Sequence, residues 1–312
     1  MGTKWGFRDA SGKVLFGRKY EYGWYISEGK VSYCDDGLCG YLDRTGEIII
    51  PARFCAVREF HEGLAAAAIQ CSEDANGNLR AVWGYIDVSG EFALVPSPVF
   101  TGLPFRDGLV IARKGGKFGL MDRQGNVSVD FQFSVLETQA ARDTNGKLLF
   151  RVQKGEQSGF INIDGSILTG KFYPSVIGFE QGVALVLMDD LTWTLIDSEG
   201  QILARTNFTL VGLMGELFSC HRMLVGYVPP ERRAEVLQLL EHHGIKGYFQ
   251  LQRSEGIKFG FLDANGLEVI PAKFDSARPF RPDRSGECAA EVSVGLKFYK
   301  IGIDGTELAN SQ

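Results

Sequence analysis

Short runs of alternating apolar and polar residues recur along the chain, separated by polar segments rich in glycine. Residues 83–90 read WGYIDVSG, and near-copies of this stretch begin at Trp5, Gly40, Phe118, Gly159, Trp193, Phe259 and Ile301. Residues two apart share one face of a strand, so Trp83 and Tyr85 point one way and Ile86 the other. Each copy is therefore predicted to contain a short strand, with Gly84 leaving room for an aromatic side chain from a neighbour.

Each copy ends in a pattern typical of a tight turn. The side chain of Asp87 can accept hydrogen bonds from backbone amides two residues on, and Gly90 suits a left-handed backbone. A second strand follows and ends at a proline, as in residues 47–51, 91–96 and 267–271. The turn positions are assigned to Asp9, Asp43, Asp87, Asp122, Asp197 and Asp263, and also to Asp164 and Asp304.

A second motif follows each hairpin and consists of an apolar anchor, two residues, glycine and an alternating strand. It reads FHEGLAAAAI at 60–69 and FRDGLVIA at 105–112, and a weaker copy occupies 26–33. Intervals between the assigned aspartates are 33 to 44 residues, except for one of 66. This period indicates a repeat architecture of about seven units plus a terminal hairpin.

The two motifs in this order resemble the WG-repeat family of bacteria over residues 4–305. The resemblance implies a β-repeat scaffold that binds partners, and it implies no shared reaction. The sequence departs from the pattern at 131–158, which lacks a clear Phe-x-x-Gly, at Thr194, where glycine is expected, and at 207–258.

We expect one all-β domain over 1–312, built as an open, twisted, solenoid-like array of antiparallel hairpin units. Three strands per unit and identical hairpins at both ends favour the open array, since a ring usually completes one blade from both termini. A β-propeller is the alternative.

The 66-residue interval predicts an insertion at 207–258 with a helix at 229–243. Proline suits the first turn, and Val236, Leu239, Leu240 and His243 follow helical spacing. The insertion is interpreted either as an appendage that binds a partner or as a helix that packs over a repeat junction.

Composition indicates a soluble globular protein, with 45% hydrophobic and 23% charged residues. The net charge of −5 comes without a basic stripe, which argues against nucleic acid. No apolar run reaches the ~18 residues of a membrane span. We expect a cytoplasmic location, because there is no export signal. Reduced thiols are expected at the six cysteines, which have no CxxC spacing: Cys34, Cys39, Cys55, Cys71, Cys220 and Cys288.

No cofactor and no metal site is predicted. Cys220-His221 and residues 241–243 are adjacent groups whose side chains point apart, whereas a structural zinc site needs four convergent ligands. The repeated aspartates lack the ladder of a calcium loop. Lys114-Gly-Gly-Lys117 lacks the Ser or Thr of a phosphate-binding loop and is predicted to be a hairpin tip.

The leading hypothesis is a non-enzymatic scaffold that binds another protein, in a more specific version a toxin-neutralising (immunity) protein. Candidate contacts are Arg232, Arg233, Glu241, His242, Arg281 and Arg284. One alternative is an enzyme that uses Cys220 and His221 with Glu216 or Glu241. Another is a carbohydrate or cell-wall binder with Tyr22, Trp24 and Tyr25 as stacking platforms.

Overall fold

The computed structural model describes residues 5–8, 12, 14–20, 22–77, 79–143, 145–211, 217–239, 241–242, 255–283 and 286–308. These residues form an all-β repeat fold in which neighbouring strands of each sheet pair antiparallel. The chain divides into two compact units, Met1–Leu136 and Glu137–Gln312.

The first four sheets contain thirteen strands. Sheet 1 has β1 (Trp5–Arg8) and β2 (Val14–Tyr20); sheet 2 has β3 (Tyr22–Ser27), β4 (Lys30–Asp35), β5 (Leu38–Asp43) and β6 (Ile48–Phe54); sheet 3 has β7 (Ala56–Val57), β8 (Ala65–Glu73), β9 (Leu79–Ile86) and β10 (Phe92–Leu94); sheet 4 has β11 (Leu109–Lys114), β12 (Lys117–Asp122) and β13 (Val127–Phe133).

The unit boundary falls within β14, whose partners belong to the second unit. Sheet 5 has β14 (Val135–Arg142), β15 (Leu148–Lys154) and β16 (Gln157–Ile161); sheet 6 has β17 (Val176–Glu180), β18 (Val183–Leu187), β19 (Trp193–Ile196) and β20 (Ile202–Arg205); sheet 7 has β21 (Leu210–Val211), β22 (Met223–Tyr227), β23 (Lys258–Leu262) and β24 (Glu268–Phe274); sheet 8 has β25 (Ser276–Ala277), β26 (Arg281–Pro282), β27 (Cys288–Val294) and β28 (Lys297–Ile301).

A complete sheet contains four strands in chain order. Sheets 2, 3, 6 and 7 show this order, and isolated bridges such as Phe100↔Ala112 replace a missing strand elsewhere. The expectation of three strands per unit is therefore wrong. Four strands is also the number in a propeller blade, so the strand count no longer favours an open array over a ring.

The turn between the first and second strands is a type I′ hairpin. In sheet 3 it is made by Glu62 (φ 54°) and Gly63 (φ 76°), and His61 and Leu64 exchange both backbone hydrogen bonds. Two consecutive left-handed residues match the twist of the flanking strands. The anchor residue of the second motif, Phe60, stands directly before this turn.

The glycine of the third strand is required by a close approach of the fourth. A Cβ on Gly84 would lie 2.6 Å from the carbonyl oxygen of Leu94, and one on Gly260 would lie 2.6 Å from that of Ile270. Sequence analysis expected an aromatic neighbour there. Phe92 does contact the site, but the backbone of the fourth strand comes nearer.

The fourth strands do not all end at their prolines, contrary to prediction. β6 continues through Pro51 and β24 through Pro271, whereas β10 ends before Pro96. The β5–β6 register shifts between Ile50 and Phe54. Pro51 lies in this irregular stretch, where its missing amide costs no ladder bond.

The apolar core lies between consecutive sheets within each unit. An aromatic residue on the third strand packs against the anchor phenylalanine of the next sheet. The ring centroids are 4.8 Å apart for Tyr85–Phe105 and 4.7 Å apart for Phe261–Phe280. Tyr85 also donates its hydroxyl to the carbonyl of Leu103 at 2.6 Å. Burial raises the pKa of the Tyr85 phenol well above its ordinary value.

The insertion is shorter than predicted. β21 and β22 pair as ordinary first and second strands, and Phe218-Ser219-Cys220-His221 occupies the place of the Phe-x-Glu-Gly motif. Only residues 228–257, between β22 and β23, are extra. Sequence analysis missed this copy because neither residue of its turn is glycine, although Cys220 and His221 both have positive φ.

The insertion contains a 3-10 turn at Pro230–Arg232 and an α-helix at 233–239 and 241–242. His243, the predicted last residue of this helix, lies outside the described residues. Val236 is buried in the core between sheets 7 and 8, and Leu237 contacts the core between sheets 6 and 7. The helix therefore packs over a repeat junction, which was the second of the two interpretations.

All six cysteines are paired, contrary to the expectation of reduced thiols. The disulfides are Cys34–Cys39, Cys55–Cys71 and Cys220–Cys288. Spacing along the sequence did not reveal them because the pairs join neighbouring strands or neighbouring sheets. Disulfides persist mainly in oxidising compartments, so the thiol argument for a cytoplasmic location is removed. The location itself remains a prediction.

Candidate binding surface

The repeated aspartates act within their own turns. Asp87 Oδ1 accepts hydrogen bonds from the amides of Ser89 (2.8 Å) and Glu91 (3.3 Å), and Gly90 has a φ of 88°. The side chains of Asp43, Asp122, Asp197 and Asp263 make the same amide contacts in their turns. Asp9 lies outside the described residues.

Hydrogen bonding lowers the pKa of several of these carboxyl groups. For Asp87 the first cause is the Ser89 hydroxyl, and for Asp43 it is the Thr45 hydroxyl, with backbone amides adding to both. Both carboxylates are exposed to solvent. Their role is to stabilise the turn, and each is committed to donors in its own loop.

Two assignments were shifted by two residues. In residues 159–165 the turn position belongs to Asn162, whose amide donates to the carbonyl of Ser166, and Asp164 stands two residues later. Gly302 likewise takes the turn position that was assigned to Asp304. In both copies the turn position holds asparagine or glycine and an aspartate follows two residues later, which led to the wrong alignment.

A carboxylate ladder between successive turns was missed by sequence analysis. Glu28 Oε2 accepts from the amide of Gly63 at 3.0 Å. Glu62 accepts from the amides of Asp107 (2.6 Å) and Gly108 (2.9 Å). The repeated acid before glycine in the second motif was the available signal, and its role is to join neighbouring sheets.

The predicted contacts on the insertion differ in accessibility. Arg233 is buried, donates to the carbonyls of Val228 and Asp190, and so cannot serve a partner as predicted. Arg232 donates to the carbonyl of Glu255 at 2.6 Å. Glu241 and His242 are exposed on the helix.

Arg281 is exposed and lines a surface cleft of about 400 Å³ on sheet 8. Arg284 lies outside the described residues. The cleft is lined by Arg278, Pro279, Arg281, Pro282, Asp283, Ala289, Ala290, Glu291 and Lys300.

The structure describes only some of the residues named for the alternative functions. Cys220 is bonded to Cys288 and has no free thiol for nucleophilic attack. Glu216 and the side chains of Tyr22, Trp24 and Tyr25 lie outside the described part of the structure. Within the described ranges, no three His, Cys, Asp or Glu side chains are grouped to hold a metal ion.

The tip between β27 and β28 exposes apolar side chains. Leu296 is 91% exposed and Phe298 is 63% exposed, and Val294 stands beside them. We call these three residues the terminal patch. The corresponding tip in sheet 4 is the predicted hairpin tip Lys114-Gly-Gly-Lys117, where Lys114 pairs with Lys117.

The outer face of sheet 8 leaves Phe298 and Lys300 exposed, although Ser293 on the same face is buried. In sheet 3 the equivalent positions, Trp83 and Tyr85, are buried against Phe100 and Phe105. By strand register Phe298 corresponds to Trp83 and Lys300 to Tyr85. Sheet 8 thus presents to solvent a face that sheet 3 buries.

A family described as "WG containing repeat" matches residues 40–69, 83–118 and 259–283. These three segments are WG-containing repeats. Each matched WG segment begins on the third strand of one sheet and extends toward the second strand of the next. A WG repeat is therefore shared between two sheets, and it contributes both partners of an interlocking aromatic pair.

Solved structures similar to this WG-repeat chain have low identity. An eukaryotic initiation factor shares 11% identity over 93% of this chain and 87% of its own, with a TM-score of 0.36. The designed protein Ika8 shares 13% over 95% and 86%, with a TM-score of 0.35. The WD40 β-propeller domain of Doa1 shares 12% over 88% and 88%, with a TM-score of 0.30.

No curated protein matches the sequence. Among the described residues, no helix combines the length and apolar character that crossing a membrane requires.

Proposed function

We propose that this WG-repeat protein is a non-enzymatic scaffold that binds another protein through the outer face of sheet 8. The observation that carries the proposal is the exposure of Phe298 at a position where sheet 3 buries Trp83. Exposed aromatic and aliphatic side chains grouped on a rigid strand pair are typical of interaction sites.

The rest of the repeat supports this assignment. The turn aspartates bind amides of their own loops, and the aromatic residues of the repeat pack between sheets. The residues that recur are thus occupied in folding. A binding surface can then use a repeat aromatic that stays exposed, such as Phe298, and a tip residue outside the motif, such as Leu296.

The experiment replaces the tip sequence Val294-Gly-Leu-Lys297 by the Lys-Gly-Gly-Lys of sheet 4 and adds Phe298→Ser. Affinity capture from native lysate of the source organism, with quantitative mass spectrometry, compares this variant with the wild type. We expect a protein retained by the wild type to fall at least about tenfold with the variant.

The matched control is Leu38→Ser, which removes an exposed leucine from the β4–β5 tip. It should retain the partner, and all variants should unfold at the wild-type urea midpoint. A wild-type protein that retains nothing, or a tip variant that binds as well as the wild type, contradicts the proposal.

A further inference from the structure

We infer that the cleft on sheet 8 binds carboxylate groups of an acidic segment in the partner protein. This inference rests on the proposed function and names the chemistry of the partner. The cleft is a binding feature distinct from the terminal patch, since it is lined mainly by charged side chains and prolines.

Strand pairing builds the cleft. Arg278 donates its amide to the carbonyl of Glu291 at 2.9 Å, and Glu291 stands opposite Lys300 in the β27–β28 register. Arg281 stands opposite Ala289, whose small side chain leaves the space beside the guanidinium open. Three cationic side chains thus line one depression; Arg281 and Lys300 lie on strands that each pair with β27, and Arg278 directly follows β25.

The acidic groups of the cleft are already engaged. Glu291 pairs with Arg278 at 3.2 Å, and the Asp283 carboxylate accepts from the amide of Glu287 at 3.1 Å. In the described part of the chain, neither Arg281 nor Lys300 has an ion-pair partner. The cleft is therefore lined by three cationic and two acidic side chains, a local net charge of +1 on a protein whose net charge is −5.

Carboxylates fit this pair better than a nucleic acid does. Arg281 can bind a carboxylate through two parallel hydrogen bonds, and Lys300 adds a point charge. A phosphate backbone needs a longer row of cations than this cleft has. A short acidic peptide can offer carboxylates to Arg281 and Lys300 without such a row.

The cleft and the terminal patch lie on one continuous surface. Phe298 and Lys300 are two residues apart on β28 and therefore share a face of the sheet. A single extended segment can place an apolar side chain on Phe298 and an acidic one beside Lys300. The occupant we infer is an extended acidic segment with an apolar anchor.

The test selects peptides of about a dozen random residues, displayed on phage, against the immobilised full-length protein. We expect the recovered pool to be enriched in Asp and Glu next to an aromatic or aliphatic residue. A synthetic peptide from that pool should lose at least about fivefold in affinity with Arg281→Glu plus Lys300→Glu, and its binding should weaken with salt. Lys114→Glu plus Lys117→Glu in sheet 4 is the matched charge control.

The outcomes separate the two proposals. A selected pool without acidic enrichment overturns the carboxylate site and leaves the scaffold proposal intact. The same holds if peptide affinity is unchanged by Arg281→Glu plus Lys300→Glu but falls with Phe298→Ser. Peptides indifferent to both sets of substitutions overturn the docking face itself. Equal loss with the sheet 4 control indicates bulk charge only and overturns the carboxylate site.

Discussion

Neighbouring sheets are joined by different chemistry at two equivalent places: between sheets 3 and 4, and between sheets 7 and 8. In sheet 3, Glu62 of the type I′ turn accepts two amides from the next turn. In sheet 7, Cys220 occupies the same turn position and forms a disulfide with Cys288 on β27. The remaining strands of sheet 4 cover the first junction. Sheet 8 instead keeps Phe298 on its outer face exposed.

The third strands of sheets 3 and 8 differ in the same sense. Gly84 admits the backbone of the fourth strand, and the equivalent residue in β28 is Tyr299. A side chain at this position blocks the close approach of a regular fourth strand. Sheet 8 is thus held by a covalent link, and among the described residues its outer face keeps Phe298 exposed. Each of the following predictions tests one part of that difference.

The largest effect is expected from Cys220→Ser plus Cys288→Ser. The disulfide closes a separation of 68 residues, and its loss should lower the free energy of unfolding by about 4 kcal/mol. Urea unfolding measures the change. Cys34→Ser plus Cys39→Ser, with a separation of 5, should cost about 2 kcal/mol. Equal losses of unfolding free energy for the two pairs would contradict a larger stabilisation by the disulfide that attaches sheet 8.

Gly84→Ala should come next. The added Cβ would lie 2.6 Å from the carbonyl oxygen of Leu94, and we expect a loss of about 2–3 kcal/mol in the free energy of unfolding. The control is Tyr299→Ala, where a Cβ is already present and only contacts such as that with Phe274 are lost. The requirement for glycine at this close approach is contradicted if Gly84→Ala unfolds at the same urea concentration as the wild type.

Glu62→Ala should lower the free energy of unfolding by about 1 kcal/mol. It removes the acceptor of two backbone amides, and the loss is moderated by the exposure of the site. Differential scanning calorimetry and hydrogen exchange at Asp107 and Gly108 should both report it. Glu156→Ala at the exposed β15–β16 tip should change neither. Unchanged exchange at residues 107–108 would contradict the ladder.

The smallest effect is expected on the stability of the protein at acidic pH. Hydrogen bonds from Ser89 and backbone amides lower the pKa of Asp87, so the unfolded chain binds more protons near the ordinary aspartate pKa. The stabilisation is present above about pH 4 and is lost as pH falls through the lowered folded pKa. Asp87→Asn should flatten the decline of stability in this window, measured by urea unfolding from pH 5 to pH 2. Glu156→Gln should leave the slope unchanged; equal slopes for Asp87→Asn and wild type would contradict the assignment.

Local features of the fold could be predicted from the sequence. The turn role of Asp87, the strand containing Trp83 and the hairpin tip at 114–117 depend on contacts within a few residues. The disulfides, the Glu62 ladder and the copy at Phe218 could not be predicted in this way, because each depends on which distant segments become neighbours. Of the candidate site, the sequence identified Arg281 but not Phe298, because the eighth copy was assigned to begin at Ile301 and Phe298 was left outside the motif.

By itself, the sequence determined that the chain is a β-repeat: hydrogen bonding and backbone conformation in each Asp-x-x-Gly turn are satisfied locally and recur with the motif. Only the tertiary structure decided where one sheet ends and the next begins, because a WG repeat spans two sheets and its aromatic pair closes only when those sheets stack. It also decided which face stays open, since the exposure of Phe298 follows from the absence of a covering sheet among the described residues and not from the motif that contains it.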